Sequence, residues 1–389
     1  MLKDFSLQSL LMGLLTAFVG FSSSFAVVLQ GIKATGATDQ QAASGLMALS
    51  VAMGVCGIVL SLWKRMPISI AWSTPGAAFL ASVGSVQGGF PVAVGAFLVS
   101  ALLIVAAGLF KPLNRAVSAI PPALANAMLA GVLLSLCLAP VKAVAFNPWL
   151  GLPIVIAFFL AAAVNRLFAV PAALVAFVLV IVFGVPIEPA ALAHLGDSLV
   201  PAPVFTMPEF TTAGLISIAL PLFIITMASQ NIPGITVLRV NGYEPAPGPL
   251  FTITGLFSLA SAPFGGHAVN LAAITAAMCA GEDAHRDPKR RYWSAIIGGV
   301  GYVVLGLLAG AVTAAVALAP KILIEAVAGL ALIAAFSGSA AYAFKEQDSR
   351  EAAAVTFIVT ASGVTFGGVS GAFWGLLARC WHCYLSHAG

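Results

Sequence analysis

Two ionisable side chains, His267 and Glu325, stand inside long apolar stretches of this 389-residue sequence. Within a bilayer an isolated charge costs roughly 2.5 kcal/mol or more, so such groups are candidates for function. An imidazole titrates near neutral pH, and His267, directly after Gly265-Gly266, could hydrogen-bond a bound molecule and take up a proton. The competing reading is a neutral ring bonded to a backbone carbonyl. Glu325, five residues after Pro320, could carry a proton; equally, Lys321 one turn earlier could pair with it near a helix N-terminus. Thr226, Ser229, Gln230 and Asn231, followed by Pro233-Gly234, form a polar break in an apolar run. Amides cannot carry protons, but Gln230 and Asn231 could orient a polar ligand, with interhelical hydrogen bonding as the alternative. Ser22, Ser23 and Ser24, Ser73 and Thr74, and Asn270 one turn after His267 are further candidates, each also compatible with packing. Phe25, Trp72 and Phe264 could supply an aromatic wall.

The elements that must position these residues follow from composition. Hydrophobic residues make up 61% of the chain and charged ones 8%, with a mean hydropathy of +1.06. An ordinary soluble domain is roughly 25% charged, so a water-soluble globule is excluded and an all-α polytopic membrane protein is expected. Apolar runs predict fourteen spans, with twelve as the alternative count, near 9–30, 40–62, 68–84, 90–110, 117–138, 148–165, 167–186, 212–236, 248–263, 266–281, 292–315, 319–342, 350–365 and 368–386. The first resembles a signal peptide, but its apolar run continues beyond any cleavage site and retention is expected. With both termini cytoplasmic, only Lys33, Lys142 and Lys321 of the 17 Lys and Arg fall outside, as the positive-inside rule requires. Cytoplasmic basic loops, including Arg286–Arg291, account for the net charge of +4 without a nucleic-acid partner. Cys56, Cys137 and Cys279 read as small core residues, and the lone Cys380-Trp381-His382-Cys383 spacing is a weak metal or redox signal. No cofactor is implied beyond a coupling proton.

Traces of internal repetition relate the fifth and twelfth spans, where Pro122–Gly131 aligns with Pro320–Gly329 after a one-residue slip. Two halves of seven spans would be inverted repeats, an arrangement of secondary transporters. The third span carries Pro67 and Trp72-Ser73-Thr74-Pro75-Gly76 at mid-depth, and the tenth, entered through Pro263-Phe264-Gly265-Gly266, has about fifteen residues, or roughly 22 Å of helix. Each is expected to be an extended stretch followed by a half-helix, with the two N-terminal ends facing one another. Such ends favour a small anion or an acceptor-rich ring.

At these residues the sequence resembles the benzoate membrane transport family, benzoate/proton symporters of bacterial inner membranes. The likeness covers essentially the whole chain and includes Ser73-Thr74-Pro75-Gly76, Ser229-Gln230-Asn231-Ile232-Pro233-Gly234 and Pro263-Phe264-Gly265-Gly266-His267-Ala268-Val269-Asn270. More distantly the layout is similar to nucleobase/cation symporters and sulfate or bicarbonate transporters, which have seven-plus-seven inverted repeats. That architecture implies a core domain from residues 1–115 and 212–316, a gate domain from 116–187 and 317–389, and an external linker at 188–211. Analogy with it suggests a homodimer. In the uracil and xanthine permeases, spans eight and ten each place a carboxylate at the substrate, and the matching positions here are Gln230 and His267. Two carboxylates would repel a carboxylate ligand, whereas an amide and an imidazole would accept one. The expected activity is therefore uptake of benzoate or a similar small aromatic carboxylate with a proton, by a lipid-embedded transporter rather than an enzyme. His267, Gln230, Asn231, Gly266, Ser73, Thr74, Gly76, Asn270, Ser24 and Phe25 would bind substrate, and His267 or Glu325 would carry the proton. The rivals are symport of a nucleobase or another small anion, and a passive anion channel.

Overall fold

The structure, a computed structural model, describes residues 5–110, 122–185, 201–272, 274–282, 284–311, 313, 320–347, 349–362, 364–366 and 369–370. It is mostly helical. The N-terminal part comprises α1 (Leu7–Ser22), α2 (Phe25–Ala34), α3 (Asp39–Lys64), a short strand β1 (Ile70–Trp72), α4 (Thr74–Val83) and α5 (Phe90–Leu109). Then come α6 (Pro122–Cys137), α7 (Ala139–Phe146), α8 (Pro148–Val164) and α9 (Arg166–Gly184). The helix α10 (Thr212–Arg239) contains two π-helical turns, Leu215–Ala219 and Met227–Asn231. It is followed by α11 (Pro247–Ser261), β2 (Val269–Leu271), α12 (Ile274–Ala280), α13 (Tyr292–Leu307), α14 (Lys321–Ala343), α15 (Arg350–Ala361) and a small hairpin of β3 (Thr365–Phe366) and β4 (Val369–Ser370).

Among the described residues, Leu7–Ala34, Asp39–Lys64, Phe90–Leu109 and Thr212–Arg239 are each long and apolar enough to cross a bilayer, and the bent α14 adds a fifth candidate. The chain is thus multi-pass. Each apolar stretch expected between residues 9 and 365 contains a helix. The expected fourteenth span at 368–386, the Cys380/Cys383 pair and residues 186–200 of the linker lie outside the described residues.

Two features depart from the sequence reading. The first span is not one helix: it breaks at Ser23-Ser24, where both hydroxyls donate to the Gly20 carbonyl at 3.3 Å and Ser24 leaves helical geometry. A short helix, α7, stands between the fifth and sixth expected spans, with Pro140 in its first turn.

Helices α1, α3 and α13 pack together, as do α5 with α11 and α2 with α4; a second group pairs α6 with α14 and α15, and α8 with α9. Between helices in lipid, small residues allow the close approach that stands in for hydrophobic driving force. The crossing of α3 and α13 shows it, since a Cβ on Gly299 would come within 2.6 Å of the Gly54 carbonyl.

Candidate functional site

At mid-chain depth in each half, a polar-and-small sequence abandons the helix. Ile70–Trp72 and Val269–Leu271 pair antiparallel, with Ala71 opposite Asn270. Ser73 N–H donates to the Ala268 carbonyl at 3.1 Å and Ala272 N–H to the Ser69 carbonyl at 3.0 Å, extending the ladder at both ends. The outer edge of β2 would leave N–H groups bare in an apolar interior, a cost of several kcal/mol each. Side chains satisfy them: Ser258 Oγ accepts from Val269 N–H at 2.8 Å, and Asn231 Oδ1 accepts from Leu271 N–H at 3.0 Å. Asn231 ends the second π-helical turn of α10, which also contains Ser229 and Gln230.

The half-helices expected after these strands are present. Because the strands are antiparallel, α4 and α12 leave the ladder in opposite directions, from ends about 10 Å apart for three residues of strand. Ser73 caps α4 by accepting from Gly76 N–H at 3.1 Å, with Pro75 in the first turn. Helix α4 has ten residues and α12 only seven, so the longer run of ordered peptide dipoles stands behind Thr74.

A cavity of about 850 Å³ opens where this strand pair meets α6 and α14. Its walls are Val19, Gly20, Ser23 and Ser24 at the α1 break, Met53, Ala71 and Trp72, Thr74 and Pro75 at the start of α4, and Ala228, Ser229 and Gln230 of the π-turn. Ile232, Pro233, Thr236 and Val237 continue α10, Ala272, Thr275 and Tyr302 come from the second half, and Asn126, Leu129, Ala334, Gly338, Ser339 and Tyr342 face them from α6 and α14. The surface is largely apolar and aromatic with hydroxyl and amide groups placed around it, the usual make-up of a small-molecule site. Trp72 is held by its indole N–H, which donates to Ser24 Oγ at 2.8 Å, and by packing against Phe21 at 5.4 Å between ring centroids.

Of the residues singled out from sequence, Ser23, Ser24, Trp72, Thr74, Ser229 and Gln230 are at the cavity wall. His267, Ser73, Asn270, Gly76, Gly266, Asn231 and Phe25 are not among its lining residues. His267 is fully buried, and its Nε2 lies 2.9 Å from the Ser73 carbonyl. A carbonyl only accepts, so the ring proton sits on Nε2, and Nδ1 has no partner among the described residues. The bond to a backbone carbonyl, the competing reading of His267, is present. Ser73 receives a hydroxyl hydrogen bond from Thr226 at 2.9 Å, Asn270 donates to the Leu271 carbonyl, and Gly76 and Gly266 fit against Leu222 and Ser261 where a Cβ would clash. Phe25 stacks on Phe21 at 5.6 Å. Glu325, one turn into α14, pairs with Lys321 at 3.6 Å and is not among the cavity-lining residues.

Sequence reasoning missed Asn126, Thr275, Tyr302, Ser339 and Tyr342 as wall residues. The available signal was the same one that found Gln230, a polar group inside an apolar run. Tyr302 also seats its hydroxyl against Gly20, donating to the Thr16 carbonyl at 3.3 Å, and only glycine leaves room for it.

Comparison with known proteins agrees with this geometry. The family model described as benzoate membrane transport protein matches residues 3–385. The inner membrane protein YdcO of Escherichia coli is 38% identical over 371 residues, covering 95% of this chain and 93% of the relative. A benzoate membrane transport protein of Acinetobacter baylyi is 30% identical over 379 residues, covering 96% and 94%. Among solved structures, the transmembrane domain of the cyanobacterial bicarbonate transporter BicA aligns with a TM-score of 0.59 at 15% identity, over 97% of this chain and 98% of that one. SLC26A9 aligns with a TM-score of 0.63 at 11% identity, over 99% of this chain and 66% of that one, so these two share the fold. A multi-pass helical chain with a strand-paired centre and a cavity against it, this protein is a membrane transporter and belongs to the benzoate membrane transport protein family.

Proposed function

We propose that the protein imports benzoate or a similar small aromatic carboxylate together with a proton. The observation that carries this reading is the cavity itself, lodged between the broken, strand-paired segments and the α6–α14 pair. Its volume falls within the about 300–1,000 Å³ of small-molecule sites. Trp72, Leu129 and Met53 offer apolar surface for a ring, while Thr74 at the start of α4, Ser229 and Gln230 offer polar contacts for a carboxyl group. The name of the Acinetobacter relative supports the substrate class.

The mechanism is alternating access. Residues 1–115 and 212–316 form a core, residues 116–187 and 317–389 a gate, and the two halves are seven-span inverted repeats in an inner membrane with both termini cytoplasmic. Support comes from the matching broken segments, from the helix groups that pack among themselves, and from a cavity at their boundary. An anion entering a cell against a negative interior opposes about 2.3 kcal/mol per 100 mV. One accompanying proton makes the cycle electrically neutral. Within the shell, His267 is the group that ties the approach to β2 to the cap of α4 and so keeps Thr74 and Trp72 in place.

Uptake of labelled benzoate into proteoliposomes with an inward proton gradient tests the proposal, alongside protein-free liposomes because the neutral acid crosses lipid unaided. Protein-dependent accumulation that collapses with a protonophore is expected. Uptake that only equilibrates benzoate would indicate a passive pathway, and uracil that competes with benzoate would indicate a nucleobase site.

A further inference from the structure

Gln230 differs from the other amides at the centre of the molecule. Asn231 accepts from the Leu271 N–H and donates to Met227 Sδ, and the fully buried Asn270 donates to the Leu271 carbonyl, neither of them at the wall, whereas the half-buried Gln230 carboxamide stands at the cavity wall with no hydrogen bond to any other described residue. Such a group presents a carbonyl acceptor and an N–H donor side by side.

Apart from two tyrosines, the ionisable groups on the surrounding elements are placed elsewhere. Tyr302 and Tyr342 line the cavity with phenol groups. His267 is turned onto the Ser73 carbonyl, and Glu325 pairs with Lys321. Lys33 pairs with Asp39, Lys64 and Arg239 stand in the last turns of their helices, and Cys56 and Cys279 are buried away from the wall, with Cys137 closing α6. Among the described residues the wall therefore offers a carboxylate no cationic partner. The α4 N-terminus behind Thr74 supplies about half a positive charge, and a carboxylate moved into apolar surroundings without a full cationic partner is disfavoured, the usual outcome being that the group takes up a proton.

We propose that the cavity receives the aromatic acid in its neutral, protonated form, paired through its carboxyl group with the Gln230 carboxamide, so that the substrate itself carries the coupling proton. This rests on the reading of the cavity as an aromatic-acid site. The acid O–H donates to the amide oxygen and the acid carbonyl accepts from the amide N–H, closing a two-bond ring. An ionised carboxylate could use only the N–H and would set an anionic oxygen against the amide oxygen. On the outer side an O–H bond forms as the carboxylate takes a proton from water and leaves the aqueous phase. On the inner side that bond breaks and the proton returns to water. One proton moves per substrate, no net charge crosses, and no side chain needs to change protonation.

Competition binding on the full-length protein in nanodiscs, at about pH 5.5 and about pH 7.5, tests this with three probes: benzoate, the neutral isostere benzamide, and benzenesulfonate, which stays ionised. The expected result is a benzoate affinity that weakens about tenfold per pH unit, following the fraction of protonated acid above its own pKa. Benzamide competes equally at both pH values and benzenesulfonate fails to compete. In Gln230→Leu, benzoate and benzamide lose affinity alike. A benzoate affinity independent of pH, or a sulfonate that competes and tightens as pH falls, would place the proton elsewhere and overturn the proposal while leaving aromatic-acid transport standing. No protein-dependent benzoate binding at either pH would overturn the proposed transport function and this inference with it.

Discussion

His267 and Gln230 sit on segments that meet at β2, both inside the apolar body of the molecule, and they have opposite situations. His267 is fully buried and bonded to the Ser73 carbonyl; Gln230 is half-buried, at the cavity, and unengaged by any other described residue. Asn231, one residue after Gln230, belongs with the histidine, because its side chain holds the N–H of Leu271. The difference teaches that a polar residue deep in a membrane protein is first a solution to a backbone problem. Two strands in an apolar interior expose N–H and C=O groups that water cannot reach, and side chains that satisfy them are unavailable to a ligand.

Substitutions can break that contrast or sharpen it. The largest effect is expected for Asn231→Leu, which strands the Leu271 N–H: a loss of about 2 kcal/mol or more in stability, read as a lowered unfolding temperature in detergent. An unchanged unfolding temperature would mean that β2 is held by other means. His267→Leu should cost up to about 1.5 kcal/mol for the lost second hydrogen bond to the Ser73 carbonyl, which still accepts from Ala77 N–H at 2.8 Å, with a small change in benzoate KM. A large KM change at unaltered stability would move His267 from the supporting shell to the ligand. Gln230→Leu should do the reverse, weakening benzoate about tenfold, which is about 1.4 kcal/mol, at unaltered unfolding temperature. For Ser24→Ala, which removes the acceptor of the Trp72 indole N–H, about 1 kcal/mol is expected, shared between stability and benzoate affinity. Lys321→Ala should be nearly silent, under about 1 kcal/mol, because its partner pair is on the exposed side of α14. Loss of proton-driven accumulation in that variant would show that Glu325 takes part in coupling.

Much of the fold was legible from residues 9 to 365. Long apolar runs became helices because backbone in hydrocarbon satisfies itself that way. The extended entries to the third and tenth segments were legible too, from Trp72-Ser73-Thr74-Pro75-Gly76 and Pro263-Phe264-Gly265-Gly266, where prolines and glycines weaken helix on either side of a strand. The break at Ser23-Ser24 was harder to see, since three serines in an apolar run are also ordinary helix-packing residues, and only the shared Gly20 carbonyl shows that they end a helix. The site was half legible. Type and position picked out Ser23, Ser24, Trp72, Thr74, Ser229 and Gln230, but equally His267, Asn231 and Asn270, which turn inward.

Hydropathy and local punctuation by themselves determined that the chain is a multi-pass helical membrane protein, where most of its helices lie, and which two segments start as extended stretches, because each of these follows from the solvation of a residue's own backbone and near neighbours. Which polar groups face a ligand was decided only by tertiary structure. The partner that engages His267 is 194 residues away at Ser73, and the one that engages Asn231 is 40 residues away at Leu271. Spacing along the chain carries no record of such pairings, and what is left over from them, at Gln230, is what a substrate can use.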